Sequence, residues 1–302
     1  MASRIRRPGN GKLLVIFFTE TNHDPVNFPK YWAKGECGYL QAWRGSSNSL
    51  AEAQALANQA AQRLAERFRV GNFPPQRGGY YPDRPFREPV LHEIKDAADE
   101  VSAVVTRNSY GCQVLNTARI MFVDVDLPEP KPAGGFLKRL FGSPTPAPKA
   151  SADNALAKVE MWTRQRPDWG WRIYRTRAGL RLLATHGLIA PESSEADGVF
   201  EALDADPLYR RLCQTQKCYR ARLTPKPWRC GVTMKPERWP FADEKREKRF
   251  QRWLTNYENS AAHWAACQFI RRLGNPTVHP EVQSIIKLHD AATRAEADLK
   301  LA

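Results

Sequence analysis

Hydrophobic positions along the chain fall into two periods. Leu50, Ala53, Ala57, Ala60, Leu64 and Phe68 recur at helical spacing, and Ser49 followed by Glu52 reads as a capping box. A helix is therefore expected over Ser49–Val70. Short apolar or alternating runs predict strands over Lys12–Thr19, Glu88–Lys95, Val101–Arg107 and Gln113–Asn116, with Asn108-Ser109-Tyr110-Gly111 as a turn. The sharpest strand is Ala118–Leu127, ARIMFVDVDL, which Pro128 stops. Further on, Asn154–Arg166 reads as a helix. Trp171–Arg175 and Leu180–Thr185 read as a hairpin around Thr176-Arg177-Ala178-Gly179. Helical spacing returns from Ser194 to Leu203 and continues through Pro207–Cys213, and Cys218–Leu223 is a strand. From Ala242 to Leu301 the pattern predicts helix throughout, broken at Asn275-Pro276.

Two stretches interrupt this regularity. Phe73–Pro89 is rich in Pro, Gly, Tyr and Arg, and the segment after Pro128 combines repeated prolines, Gly134-Gly135 and one short basic-apolar run, GFLKRLFG. The expected organisation is thus a first part of an α/β core over 1–127, a flexible insertion over 128–153, a second part of the core over 154–232 and a helical C-terminal extension over 233–302. The fold class expected is α/β (α+β) with a mixed sheet.

Charge narrows the partner. Lys and Arg total 46 against 32 acidic residues, a formal charge of +14. Such an excess draws polyanions, so nucleic acid (DNA or RNA) and nucleotides are the expected partners. No run approaches the ~20 apolar residues that span a bilayer, so no membrane partner is expected. Leu13–Phe18 is apolar but has no cleavage site behind it, and reads as a buried strand. Six scattered cysteines are too few for a disulfide scaffold in a chain of 302 residues, which points to a reducing cytoplasm. Cys213, Cys218 and Cys230 lack the paired spacing of a zinc ribbon. Neither a P-loop nor a dinucleotide-binding glycine motif is present.

The candidate chemistry centres on Asp124 and Asp126. Side chains two apart on a strand share a face, and two adjacent carboxylates repel unless a cation neutralises them. Mg²⁺ or Mn²⁺ held by Asp124 and Asp126 is the expected use, against a plain solvated strand end. Asp204 and Asp206 form a second acidic pair that either completes the site or ends a helix before Pro207. Arg172, Arg175, Arg177 and Arg181 lie within ten residues, and guanidinium forks match phosphate oxygens. The loop Tyr219–Arg229 mixes Arg222, Lys226 and Arg229 with Tyr219 and Trp228, a composition suited to stacking bases and tracking a backbone. In the tail, Trp253, Trp264, Arg271 and Arg272 are either core or a docking face for a protein partner.

In their order, these motifs resemble the catalytic core of the archaeo-eukaryotic primase (primase-polymerase) superfamily. Phe122-Val123-Asp124-Val125-Asp126 is similar to its first acidic motif, Arg175–Arg181 to its glycine-containing hairpin, Leu203-Asp204 or Asp206 to its third motif, and Arg222–Trp228 to the loop that follows. The likeness covers about residues 118–230. It implies metal-dependent nucleotidyl transfer to a 3′-hydroxyl. Asp124, Asp126, and Asp204 or Asp206 would be catalytic. Arg175, Arg177 and Arg181 would hold a nucleoside triphosphate, and Arg222, Lys226, Trp228 and Arg229 would hold nucleic acid. Where the family carries a histidine, this hairpin has Arg181, which cannot exchange a proton near neutral pH. His186 lies five residues on, on the opposite strand face. A non-catalytic relative and a metal-dependent nuclease are the alternatives.

Overall fold

Burial along each strand follows the pleat, and the pairing registers show which residues share a face. The computed structural model describes residues 14–15, 28–71, 86–127, 148–233 and 236–302. The chain is a mixed α+β protein and divides into two compact units, with the division falling between Arg87 and Glu88.

In the first unit, β1 (Leu14–Val15) runs parallel to β3 (Leu40–Ser46), which pairs antiparallel with β2 (Tyr31–Cys37). Helix α1 (Leu50–Arg69) lies where its spacing predicts and buries Ala53, Ala57, Ala60, Ala61 and Leu64. Its small face lets the backbones come close: a Cβ on Gly35 would sit 2.1 Å from the Ala57 carbonyl oxygen. Half of the expected capping box forms. The Ser49 hydroxyl accepts from the Glu52 amide at 3.1 Å, whereas the Glu52 carboxylate turns to the Ser46 hydroxyl and the Asn48 amide. The β2–β3 hairpin was not foreseen from sequence. Its turn depends on Gly38 in the left-handed region (φ 59), and YWAKGEC has no clean alternation.

The second unit contains two four-stranded antiparallel sheets. One has the order β10-β6-β5-β4, built from β4 (Val90–Lys95), β5 (Val101–Arg107), β6 (Gln113–Thr117) and β10 (Tyr219–Arg222). The other has the order β11-β8-β9-β7, built from β7 (Phe122–Asp126), β8 (Gly170–Thr176), β9 (Gly179–Ala184) and β11 (Cys267–Gly274). The helices are α2 (Pro148–Arg164), α3 (Ser194–Ala202), α4 (Pro207–Gln216), α5 (Glu244–Ala261) and α6 (Pro280–Thr293). Of the expected core halves 1–127 and 154–232, residues 88–127 and 154–232 fall in this unit, whereas 27–87 belong to the first. Most of the expected insertion lies outside the described residues, as does all but Leu14–Val15 of the first expected strand.

Three expectations are corrected here. The strand predicted over 118–127 begins only at Phe122, because the Thr117 hydroxyl donates to the Ile120 carbonyl at 2.6 Å and turns the chain first. The helix predicted to run on through Pro207 is two helices: Asp204 takes a left-handed φ of 52, and Asp206 caps α4 through the Leu208 amide at 3.0 Å. The tail is not helical throughout. Cys267–Gly274 is a strand paired along β8, with a register shift between Phe269 and Arg271. Trp253 is buried beside Phe250 and Tyr257, so it is core. Among the described residues no helix is long and apolar enough to cross a membrane.

Candidate functional site

Asp124 and Asp126 lie on the same face of β7, as alternation requires. Register with β9 sets Asp124 opposite Arg181 and Asp126 opposite Gly179. A Cβ on Gly179 would come within 1.9 Å of the Val125 carbonyl oxygen, so the hairpin glycine is required by close approach to β7. Asp206 joins the pair from the start of α4: its amide donates to the Asp124 carbonyl at 3.0 Å. The Asp126 carboxyl is pushed above the usual carboxylate range, first by burial, then by the charges of Asp206 and Asp124; Lys226 and Arg222 pull it the other way. Asp204, the alternative third carboxylate, is exposed and paired with Lys158 of α2 at 2.5 Å. Of the two, Asp206 is the one that lies beside Asp124 and Asp126.

Arg181 does not face an open site. It is buried, donating from Nε to Asp124 Oδ1 at 2.8 Å and from Nη2 to Asp124 Oδ2 at 3.3 Å. Its Nη1 donates to the Arg222 carbonyl at 2.9 Å and meets His289 Nε2 at 3.5 Å. Because Arg has no acceptor, Nε2 of His289 is the unprotonated nitrogen, and its Nδ1–H faces Asp290 Oδ1 at 3.3 Å. Burial, assisted by the Arg181 charge, holds His289 down at about 4, so the ring is neutral.

The network continues beneath the sheet. Tyr174 donates its hydroxyl proton to Asp290 Oδ1 at 2.6 Å. Arg172 donates to Tyr174 Oη at 2.9 Å, to Asp290 Oδ2 at 2.5 Å and to Glu296 at 2.7 Å. Burial opposes the Asp290 charge, but hydrogen bonds from His289, Tyr174 and Arg172 outweigh it and leave its carboxyl below the ordinary value. His289, Asp290 and Glu296 carried no signal in the sequence, since nothing local ties the α6 segment to a hairpin more than a hundred residues earlier.

The expected triphosphate grip is not assembled. Arg172, Tyr174 and Arg181 share one face of the sheet. Arg175 points to the opposite face, where one of its Nη atoms is buried without a hydrogen bond. Arg177 is exposed at the turn, 3.5 Å from the Leu301 carbonyl. The three arginines cannot close on one ligand.

The second basic segment behaves differently. Arg220 is buried in a pair with Glu88, both oxygens at 2.9 Å, whereas Arg222 and Lys226 are half-buried and Trp228 is exposed. Trp228 is 51% exposed, meets the ring of Tyr110 edge-on at 5.3 Å and has the Lys226 ammonium 5.5 Å from its centroid. Burial, then Arg222 and Arg229, lower the Lys226 ammonium below its ordinary value. Arg229 lies beside them and is half-buried. Tyr110 was read from sequence only as part of a turn; the structure adds it to this surface.

Cys112, Cys213, Cys218, Cys230 and Cys267 are buried free thiols. His186 packs on Trp169 at 4.3 Å and accepts from the Gly170 amide, a structural role, while His23 lies outside the described residues. Among the described residues no group of three or more His, Cys, Asp or Glu side chains is arranged to hold a metal ion. Comparison with protein-family models, curated proteins and solved structures finds no match to the chain.

Proposed function

We propose that this protein binds nucleic acid through the surface formed by Tyr110, Arg222, Lys226, Trp228 and Arg229, on a core resembling that of the primase-polymerases. The observation that carries the reading is an exposed indole flanked by a tyrosine ring and cations at the rim of a cluster of carboxylates. Such a surface offers a π face to a base and positive charge to its phosphate. The overall charge of +14 favours the same class of ligand.

Nucleotidyl transfer with Mg²⁺ or Mn²⁺ is the second reading. It is favoured by the convergence of Asp124, Asp126 and Asp206. It would require Asp124 to be released from Arg181.

One experiment tests both readings. Binding of a fluorescent oligonucleotide is measured at two salt concentrations, alongside incorporation of labelled nucleotides with Mn²⁺ or Mg²⁺. The proposal expects salt-steep binding that weakens in Arg222→Ala/Lys226→Ala, without incorporation. Incorporation by the wild type that disappears in Asp126→Asn moves the conclusion to the second reading. A folded wild type that binds no oligonucleotide ends the first. Asp126 is the better substitution site, because removing Asp124 would strand the buried Arg181.

A further inference from the structure

The resemblance implies divalent cations at Asp124 and Asp126, and the residues present do not fit that site. Both oxygens of Asp124 are already bridged by one guanidinium, at 2.8 and 3.3 Å. The Arg181 side chain is 3% exposed, against 29% for Asp124, so the cation comes from inside the protein and the carboxylate closes over it.

We infer that Arg181 is a resident counter-cation, occupying on Asp124 the place of a divalent ion and leaving the carboxylate cluster metal-independent. The inference rests on reading Asp124, Asp126 and Asp206 as part of the functional site. Three features fix the arginine in that role. Its Nη1 is tied to the Arg222 carbonyl, which anchors β9 to β10 of the other sheet. The neutral His289 ring at 3.5 Å fills the side away from Asp124 without adding a competing charge. Behind it Asp290, Tyr174, Arg172 and Glu296 close a hydrogen-bonded network that pins α6 under β8.

The arrangement has a functional consequence. Two or three carboxylates at one strand end repel both each other and a phosphate backbone. One fixed positive charge beneath them offsets part of that repulsion and, unlike an ion, does not exchange with solvent. Arg222 and Lys226, which already pull the Asp126 carboxyl down, supply the remainder from the surface side. Phosphate contact at those two side chains then needs no metal.

The test uses Mn²⁺ alone as the probe, read by electron paramagnetic resonance on the full chain. Wild type and Asp126→Asn are expected to retain equally little Mn²⁺. Arg181→Gln keeps hydrogen-bonding capacity while removing the charge, and is expected to bind one Mn²⁺ at least about tenfold more tightly than wild type. Adding Asp126→Asn to it should erase the gain. A Mn²⁺ ion bound by wild type and lost in Asp126→Asn overturns the inference, as does a folded Arg181→Gln that gains nothing. If circular dichroism shows Arg181→Gln unfolded, the comparison of wild type with Asp126→Asn decides alone. A wild type that binds no oligonucleotide would sink the proposed function, whereas this inference stands or falls on Mn²⁺.

Discussion

Two segments that look alike in sequence end with opposite roles. The hairpin 172–181 and the loop 219–229 are both dense in arginine, and either composition suits phosphate. In the hairpin, Arg172 and Arg181 turn inward and neutralise Asp290, Glu296 and Asp124. In the loop, one arginine turns inward to Glu88, while Trp228 is exposed with Arg222 and Lys226 half-buried near it. The difference comes from what covers each segment. The Arg172–Arg181 face lies under α6, which carries Asp290 and a neutral histidine, with Glu296 just beyond its end. The loop leaves the sheet edge through a short 3-10 turn at Pro227–Arg229, and the helix packed on it, α5, meets it through the Tyr257 and Ser260 hydroxyls, which bond Thr224, Pro225 and Cys230 rather than its cations. Charge density in sequence therefore marks where cations are, while the covering element decides what they neutralise.

The strongest way to break this contrast is to remove an inward arginine. Arg172→Ala would leave Asp290 without its guanidinium partner in a largely buried position. Stranding one member of a buried pair costs about 3–5 kcal/mol, so urea unfolding should register a loss of that size. A change under about 1 kcal/mol would mean that the network is ornamental. The same substitution at the half-buried Arg222 of the loop should leave the unfolding midpoint nearly unchanged.

Acid probes the same network without mutation. His289 is held down at about 4 in the folded chain, against about 6.5 when unfolded. The folded state binds fewer protons than the unfolded state between those values. Its stability is therefore complete above pH 6.5 and declines as pH falls towards 4, by on the order of 3 kcal/mol. Asp290, whose carboxyl is also lowered, adds a loss below that window, as pH falls beneath the ordinary carboxylate value. Chemical unfolding at pH 7, 5.5 and 4 reads this out. A curve flat over the range would show that His289 is hydrated and ionised, and would remove the neutral wall behind Arg181.

How much of this was legible follows from the physics of each signal. The strand with Asp124 and Asp126 was readable because four apolar residues precede an alternating pair, and the hairpin because Gly179 ends a two-residue turn. That turn also fixes register: Arg175 opposite Leu180 places Arg181 opposite Tyr174, so alternation already separates Arg175 from Arg181. Strand β11 was not readable. It is an edge strand with a bulge and half-exposed faces, so CQFIRRLG has neither period. The α6 contribution to the site was illegible for a different reason. His289 and Asp290 sit in an ordinary amphipathic helix, and only tertiary packing gives them meaning.

On the binding side, Trp228→Ala should cost about 1–3 kcal/mol of oligonucleotide affinity if its exposed ring stacks a base. Intrinsic tryptophan fluorescence should be quenched on binding, and the quench should vanish in the variant. Lys226→Ala should instead flatten the salt dependence by about one phosphate contact, with little change in stability. A Trp228→Ala protein with unchanged affinity would place binding elsewhere and erase the contrast between loop and hairpin from the loop's side.

The smallest expected effect is also the most discriminating, because it falls on the hairpin's one exposed arginine. Arg177 sits at the turn with a long 3.5 Å contact to the Leu301 carbonyl, and among the described residues no carboxylate pairs with it. If the hairpin bound phosphate as a segment, Arg177 is the side chain best placed to do so, and Arg177→Ala would weaken oligonucleotide binding and reduce its salt slope as Lys226→Ala does. The structure predicts otherwise. With Arg172 and Arg181 committed to internal carboxylates and Arg175 buried at one Nη, Arg177 shares no phosphate with another arginine of the hairpin. Arg177→Ala should therefore change affinity and stability by no more than about 0.5 kcal/mol each. Measured beside Lys226→Ala under identical salt, it separates a surface built to meet a polyanion from a segment whose charge is spent inside the fold.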